Sequence, residues 1–205
     1  MSQNHQEMLF SNPAAHPLAT EITAISDINL AFLRVLAHPD TRGLPHLLGL
    51  DGAVLGALHL LDPDQLKKVA LAPVMLAEFS SIPGVTQPVG VAESSYPRDI
   101  AGEEWERELN RFADRLLTCL WQTARHDQML AAFCIGPDTE RCRELASLSF
   151  TKISRFADAA AGCLQARLGS HPHFWADLIR TVRSGNSVQQ TASQLAGIQL
   201  SIIKH

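Results

Sequence analysis

Four things are scarce or missing in this chain, and each absence narrows the field. Charged residues make up 19% of the 205 residues against 46% hydrophobic ones, which excludes a disordered chain and predicts a soluble, globular one. No apolar run approaches the roughly eighteen residues a membrane span requires. No two cysteines are spaced Cys-x-x-Cys, and the four present, Cys119, Cys134, Cys142 and Cys163, all lie in the second half. They read as core thiols, with an interchain disulfide as the alternative that a reducing compartment disfavours. Finally, no glycine-rich phosphate loop and no recognised nucleophile motif is found, so no enzyme signature, cofactor or small-molecule substrate is expected.

Basic charge is also thin where it would be needed for nucleic acid. Residues 1–100 hold five Lys/Arg against ten Asp/Glu, and residues 107–205 hold twelve against eight. Phosphate would be repelled by the first half and only mildly attracted by the second. If the protein meets DNA, a partner supplies most of the phosphate contacts. Met1 to Thr20 is polar, carries Pro13 and Pro17, and has no basic stretch leading into an apolar core. It reads as a flexible tail and not as a signal peptide, with the cytoplasm as the default location.

What is present is a repetition. The stretch from Leu48-Gly49-Leu50-Asp51 to Lys68-Val69-Ala70 returns without a gap as Ile135-Gly136-Pro137-Asp138 to Arg155-Phe156-Ala157, at a constant offset of 87. Gly49/Gly136, Asp51/Asp138, Leu58/Leu145, Leu61/Leu148 and Ala70/Ala157 are identical. Leu58, Leu61, Leu145 and Leu148 are therefore predicted as the core of a repeated helical unit.

Local signals place the elements. Ile25, Ile28, Phe32 and Val35 predict an amphipathic helix over 21–37, ended by His38-Pro39. Asp51 reads as the N-cap of a helix to about Leu60. Asp62-Pro63-Asp64-Gln65 combines a cap, a proline at the first helical position and a capping-box glutamine. The helix that follows is predicted from Leu66 to Phe79, buried on most sides and kinked at Pro73. Residues 81–102 are rich in Pro, Gly and Ser and read as a linker. From Glu103 a stripe of Leu109, Phe112, Leu116 and Leu120 predicts a helix running toward Ala132. Asp138 and Ser149 then repeat the caps of Asp51 and Asp62. Phe174, Leu178 and Val182 mark a helix that Ser184-Gly185-Asn186 breaks, and Asn186 or Ser187 caps a last helix through Ile203. No segment alternates with period two, so the fold is predicted as all-α. Its domains are a tail (1–20), a first unit (21–80), a linker (81–102) and a second unit (103–205) that ends in a C-terminal helix pair.

The series Asp27-Ile28-Asn29-Leu30, Leu48-Gly49-Leu50, Leu58 and Gln65-Leu66-x-Lys68-x-Ala70 resembles the FlhD subunit of the bacterial flagellar master transcriptional activator. The second unit resembles it again through Arg125-x-Asp127, Ile135-Gly136, Leu145, Leu148 and Lys152 to Ala157. Val188 and Gly197-Ile198-Gln199-Leu200-Ser201 echo the family's C-terminal region. The resemblance covers about 21–79 and 109–205, and implies an α-helical subunit that works with a zinc-binding FlhC-like partner on promoter DNA in a hetero-oligomer. Because that family pairs its subunits into intertwined dimers, a tandem chain could fold its two units together as an intrachain pseudo-dimer, and a further homo-oligomer is compatible with it. This chain departs from the family where a basic residue before the last helix is replaced by Ser187. The family's mid-helix cysteine aligns with Ala77 and Leu164.

Candidate DNA- or partner-binding residues are Lys152 and Arg155 on one helix face, Arg180 and Arg183 on another, and Asn186, Ser187, Val188, Gly197, Ile198, Leu200 and Lys204 in the C-terminal segment. Val188 to Lys204 is read as half of a helix-turn-helix with its turn at Ala196-Gly197. Taken singly, each charge is more often just a solvated one, and the segment fits a docking helix better than a DNA-contacting one. His171 and His173 flank a proline without the further ligands a zinc site needs, so they read as loop histidines and no metal is expected. Three functions follow: an activator-type regulator subunit; a helical adaptor, anti-activator or secretion chaperone that does not touch DNA; and, least supported, an enzyme using the cysteines.

Overall fold

The capping signals are met as local chemistry requires. Asp62 accepts hydrogen bonds from the backbone N–H groups of Asp64 (2.9 Å) and Gln65 (2.8 Å), and Gln65 Oε1 accepts from Asp62 N at 3.0 Å. The result is a complete capping box, with Pro63 at the first position. Asp51 Oδ1 accepts from Val54 N at 2.8 Å, and Ser149 Oγ from Lys152 N at 3.4 Å. Caps of this kind contribute about 1 kcal/mol each. The computed structural model describes residues 17–82, 102–136, 139–185 and 187–203. The predicted linker, the tail before Pro17, Asp138, Asn186 and Lys204 fall largely or wholly outside them.

The described chain is mostly helical. Its elements are α1 (Pro17–Leu36), β1 (His46–Leu47), β2 (Leu50–Asp51), α2 (Gly52–His59), α3 (Pro63–Ala70), β3 (Ala77–Phe79), α4 (Glu103–His126), α5 (Gln128–Ile135), α6 (Thr139–Ser147), α7 (Phe150–Ala160), β4 (Leu164–Ala166), α8 (Phe174–Ser184) and α9 (Ser187–Ile203). No described helix is long and apolar enough to cross a membrane.

Three expectations need correction. The helix predicted from Leu66 to Phe79 stops at Ala70. Pro73 does not kink it; the chain has already left the helix, and Asn29 explains where it goes. Buried in α1, Asn29 donates through Nδ2 toward the carbonyls of Ala70 (3.2 Å), Ala72 (3.2 Å) and Val74 (2.9 Å), and accepts from Leu76 N at 2.8 Å. One amide thus satisfies a run of backbone groups that leave helical pairing. Second, the stripe toward Ala132 is two helices. Asp127 is extended (φ −144°, ψ 100°), and its carboxylate accepts from Met129 N (2.9 Å) and Leu130 N (3.0 Å), ending α4 and starting α5. Third, two short antiparallel strand pairs accompany the helices, β1–β2 and β3–β4.

The first pair is a hairpin with Leu48 (φ 49°) and Gly49 (φ 83°) at its turn. Leucine is held in this left-handed conformation by full burial and by Ala166 N, which donates to its carbonyl at 2.7 Å. The second pair joins the two halves of the chain, with Ala77 opposite Ala166, Glu78 opposite Gln165 and Phe79 opposite Leu164. Just beyond each end, Ser80 N donates to the Cys163 carbonyl and Arg167 N to the Leu76 carbonyl, both at 2.8 Å. When 87 is added or subtracted, Ala77–Ala166 exchanges with Phe79–Leu164 and Ser80–Cys163 with Arg167–Leu76, while Glu78–Gln165 maps onto itself. The starts of α2 and α6, of α3 and α7, and of β3 and β4 are also 87 apart.

One continuous core runs through both halves. Phe32 of α1 stacks on Phe112 of α4 at 5.3 Å, and Trp105 Nε1 donates to the Val35 carbonyl at 3.0 Å. Leu58 and Leu145 are wholly buried, and Leu61 is buried at the core's edge, while Leu148 is half-buried. The C-terminal helices cross over: α8 packs on α2 and α3 of the first half, and α9 packs on α8.

Candidate interaction surfaces

The predicted site residues fall into three separate places. Lys152 and Arg155 are exposed on the outer side of α7, whose inner side carries the buried Ile153. Arg180 and Arg183 are exposed one turn apart on α8, where Arg180 forms an ion pair with Asp177 on the same helix. Ser187 and Val188 begin α9, whose first turn follows the left-handed Gly185 (φ 66°) that ends α8.

The predicted turn at Ala196-Gly197 is absent. Helix α9 runs unbroken through it, and Gly197 is buried. A Cβ there would stand 2.9 Å from Cε2 of Phe174 and 3.5 Å from Cγ2 of Val74. The glycine serves close packing, not chain reversal. Ile198 and Leu200 are half-buried against the core, Ala192 and Leu195 are exposed, and Gln194 Nε2 reaches the Leu71 carbonyl at 3.5 Å. The described part of α9 is thus docked along one side.

Around the β3–β4 pair lies a buried polar group that sequence reading missed. Gln165 Nε2 donates to Glu78 Oε1 at 2.9 Å, and Glu78 Oε2 lies 3.8 Å from Nε of Arg167. The Arg167 side chain, 5% exposed, also donates through Nη1 to the carbonyls of Phe133 (3.2 Å) and Cys134 (2.9 Å). Burial pulls the guanidinium below its ordinary pKa, and Glu78 opposes that shift. Trp175 Nε1 donates to the Arg167 carbonyl at 3.0 Å, tying α8 to the same point.

No disulfide joins the described cysteines, and Cys134, Cys142 and Cys163 are buried. Burial pushes the Cys134 thiol up to about 12. Ser81 Oγ contacts Cys163 Sγ at 3.3 Å. His171 Nδ1 accepts from Phe174 N at 3.1 Å, so this histidine closes the loop before α8. Among the described residues, no three His, Cys, Asp or Glu side chains are grouped to hold a metal ion.

A groove of about 560 Å³ lies between α2 and α8, with Asp51, Ala53, Val54 and Ala57 on one wall and Ala176, Ile179, Arg180 and Arg183 on the other. Arg180 and Arg183 were legible as candidates, but their opposite wall was not. Its only sequence signal is that α2, Gly52–His59, contains no Asp, Glu, Lys or Arg although Ala53 and Gly56 face solvent.

No protein-family model, curated protein or solved structure matches the chain.

Proposed function

We propose that this protein is a regulator subunit of the FlhD type in which two units, fused in one chain, pair as an intrachain pseudo-dimer, and that it acts on promoter DNA through a zinc-binding FlhC-like partner. The observation that carries the reading is the β3–β4 pairing. In a two-fold contact each residue meets its own copy at the axis. Glu78 meets Gln165 in this way, and the flanking backbone bonds of Ser80 and Arg167 are each other's equivalents. The order of helices in the two halves, at the same offset, agrees with it.

DNA contact belongs mainly to the complex in this reading. The exposed cations Lys152, Arg155, Arg180 and Arg183 lie on two helices and form no single stripe along α9.

A second reading, an adaptor that keeps the paired units but never meets DNA, is favoured by the docked side of α9 and the packing of Gly197 on Phe174. The two are separated by purifying the tagged chain from its own cells and analysing co-purifying protein and DNA across a salt series. Specific promoter DNA that dissociates steeply with added salt, together with a zinc protein, supports the regulator, because bound cations release counterions from DNA. A protein partner retained at high salt with no DNA overturns it in favour of the adaptor.

A further inference from the structure

Helices α2 and α6 hold matching places in the two halves, yet their outer sides are unlike. Ala53, Val54, Gly56 and Ala57 of α2 stand 87 positions before Glu140, Arg141, Arg143 and Glu144 of α6. On α6 these positions are charged: Arg143 and Glu140 are exposed and ion-paired at 3.2 Å, and the half-buried Arg141 donates through Nη2 to the Phe79 carbonyl at 3.1 Å. By contrast α2 presents Ala53 and Gly56 to water, and Leu60 beyond its end is 72% exposed. One half of the repeat therefore serves as an internal control for the other. The uncharged side is not a requirement of the unit's fold, and part of it forms a wall of the 560 Å³ groove against α8.

We infer that the α2–α8 groove docks an amphipathic helix of a partner protein, apolar along one side and acidic along one edge. The proposal rests on the pairing of units described under the proposed function, but not on any contact with DNA. Small residues on both walls, Ala53 and Ala57 facing Ala176, let a helix backbone settle deeply.

Charge selects the occupant's edge. Arg180 and Arg183 lie one turn apart on the α8 wall, and Arg180 is shared only with a partly exposed Asp177 on its own helix. Arg183 has no ion pair among the described residues. The one carboxylate on the opposite wall, Asp51, is engaged in capping α2. Two arginines on one wall, opposite Ala53, Val54 and Ala57, complement Asp or Glu at i, i+3 or i+4 on an incoming helix.

The test uses the control that the repeat supplies. Ala53→Glu with Gly56→Arg transplants the α6 residues onto α2. Both positions are exposed, a glutamate suits the first turn of a helix, and replacing a helical glycine favours the helix, so the variant should fold with an unchanged or raised Tm. A displayed library of helical peptides is selected on the full-length protein, and binding of the enriched peptides is then measured on this variant and on Arg183→Glu. The expected result is enrichment of acidic, singly apolar-faced helices whose affinity falls at least tenfold on each variant, while lysine-substituted peptides regain affinity for Arg183→Glu. Failure to enrich, or enriched peptides indifferent to both variants, overturns the proposal. So does a wild-type chain that self-associates in sedimentation while the α2 variant does not, which would give the groove to a second copy. Because no DNA enters the assay and Tm reports on the paired halves, a failure here is distinct from a failure of the regulator reading.

Discussion

Gln165 donates its side-chain amide to the carboxylate of Glu78 across 2.9 Å, and the two residues stand 87 apart, the same interval that relates Leu58 to Leu145. Arg167 sits beside them, nearly sealed from water, with Glu78 as its carboxylate partner at 3.8 Å. The contact therefore combines the symmetric centre of the strand pair with a buried charge that only one half possesses, since position 80 in the first half is Ser80.

Glu78→Ala should destabilise the protein by about 3 kcal/mol, because it leaves a buried guanidinium without its counter-charge. Gln165→Ala removes one neutral-to-charged bond at a half-buried position and should cost about 1–2 kcal/mol. Urea unfolding of both single variants and the double variant measures the coupling. A Glu78→Ala protein within 1 kcal/mol of the parent would show that the ion pair does not hold the halves together.

Asn29→Leu keeps the side-chain volume and removes four hydrogen bonds to the segment from Ala70 to Leu76. Several buried backbone groups are then unpaired, and a loss of about 3 kcal/mol or more is expected. Hydrogen exchange would localise it, with the amide of Leu76 losing protection first. Unchanged protection there would rule out Asn29 as the clamp.

Leu58→Asp and Leu145→Asp each place a carboxylate in a wholly buried site. Each should cost more than about 4 kcal/mol, enough to unfold a domain of ordinary stability. If either variant kept the parental Tm, the shared core would be wrong.

Gly197→Pro should interrupt α9, by about 3 kcal/mol from lost helical bonding alone, and separate it from Phe174. Circular dichroism would record the loss of helix. In the regulator reading partner recovery falls as well; normal partner recovery by a variant with a broken α9 would remove this helix from the working surface.

Alkali offers a test of the buried thiols. Cys134 titrates at about 12 in the folded protein against 9.0 as its ordinary value. Between these limits the unfolded chain gives up the proton and the folded one keeps it, so stability is full below pH 9 and falls as pH rises, by up to about 1.4 kcal/mol per pH unit for this group. Cys134→Ala should flatten the slope of unfolding free energy between pH 9 and 11. An identical slope in both proteins would mean that the thiol is wetter than its surroundings indicate.

What sequence reading captured was local or periodic. The caps at Asp51, Asp62 and Ser149 depend on bonds spanning three residues, and the stripes of α1, α4 and α8 repeat over several turns. Errors arose where a distant residue decides. Leu71 to Phe79 is apolar enough for a buried helix, and only Asn29, more than forty positions earlier, draws its carbonyls aside. Strand β3 has three residues, too few for a period, and its partner lies in the other half. Asp127 was hidden because the apolar stripe continues across it. Gly197 looked like a turn because a glycine required for close packing on Phe174 is chemically the same as one required for a positive φ. Of the candidate site, Arg180 and Arg183 could be picked out as charges, whereas a groove wall made of Ala53, Val54 and Ala57 carries no chemical label.

The unlike outer sides of α2 and α6 also bear on counting. A symmetric homodimer displays every surface twice, so a partner binds it in pairs and gains avidity. Among the described residues the apolar wall occurs once, its counterpart on α6 is charged, and α8 completes the groove. On the proposed pairing of fused units the assembly is monovalent: one chain offers one such groove, at a ratio fixed by covalent linkage instead of by concentration.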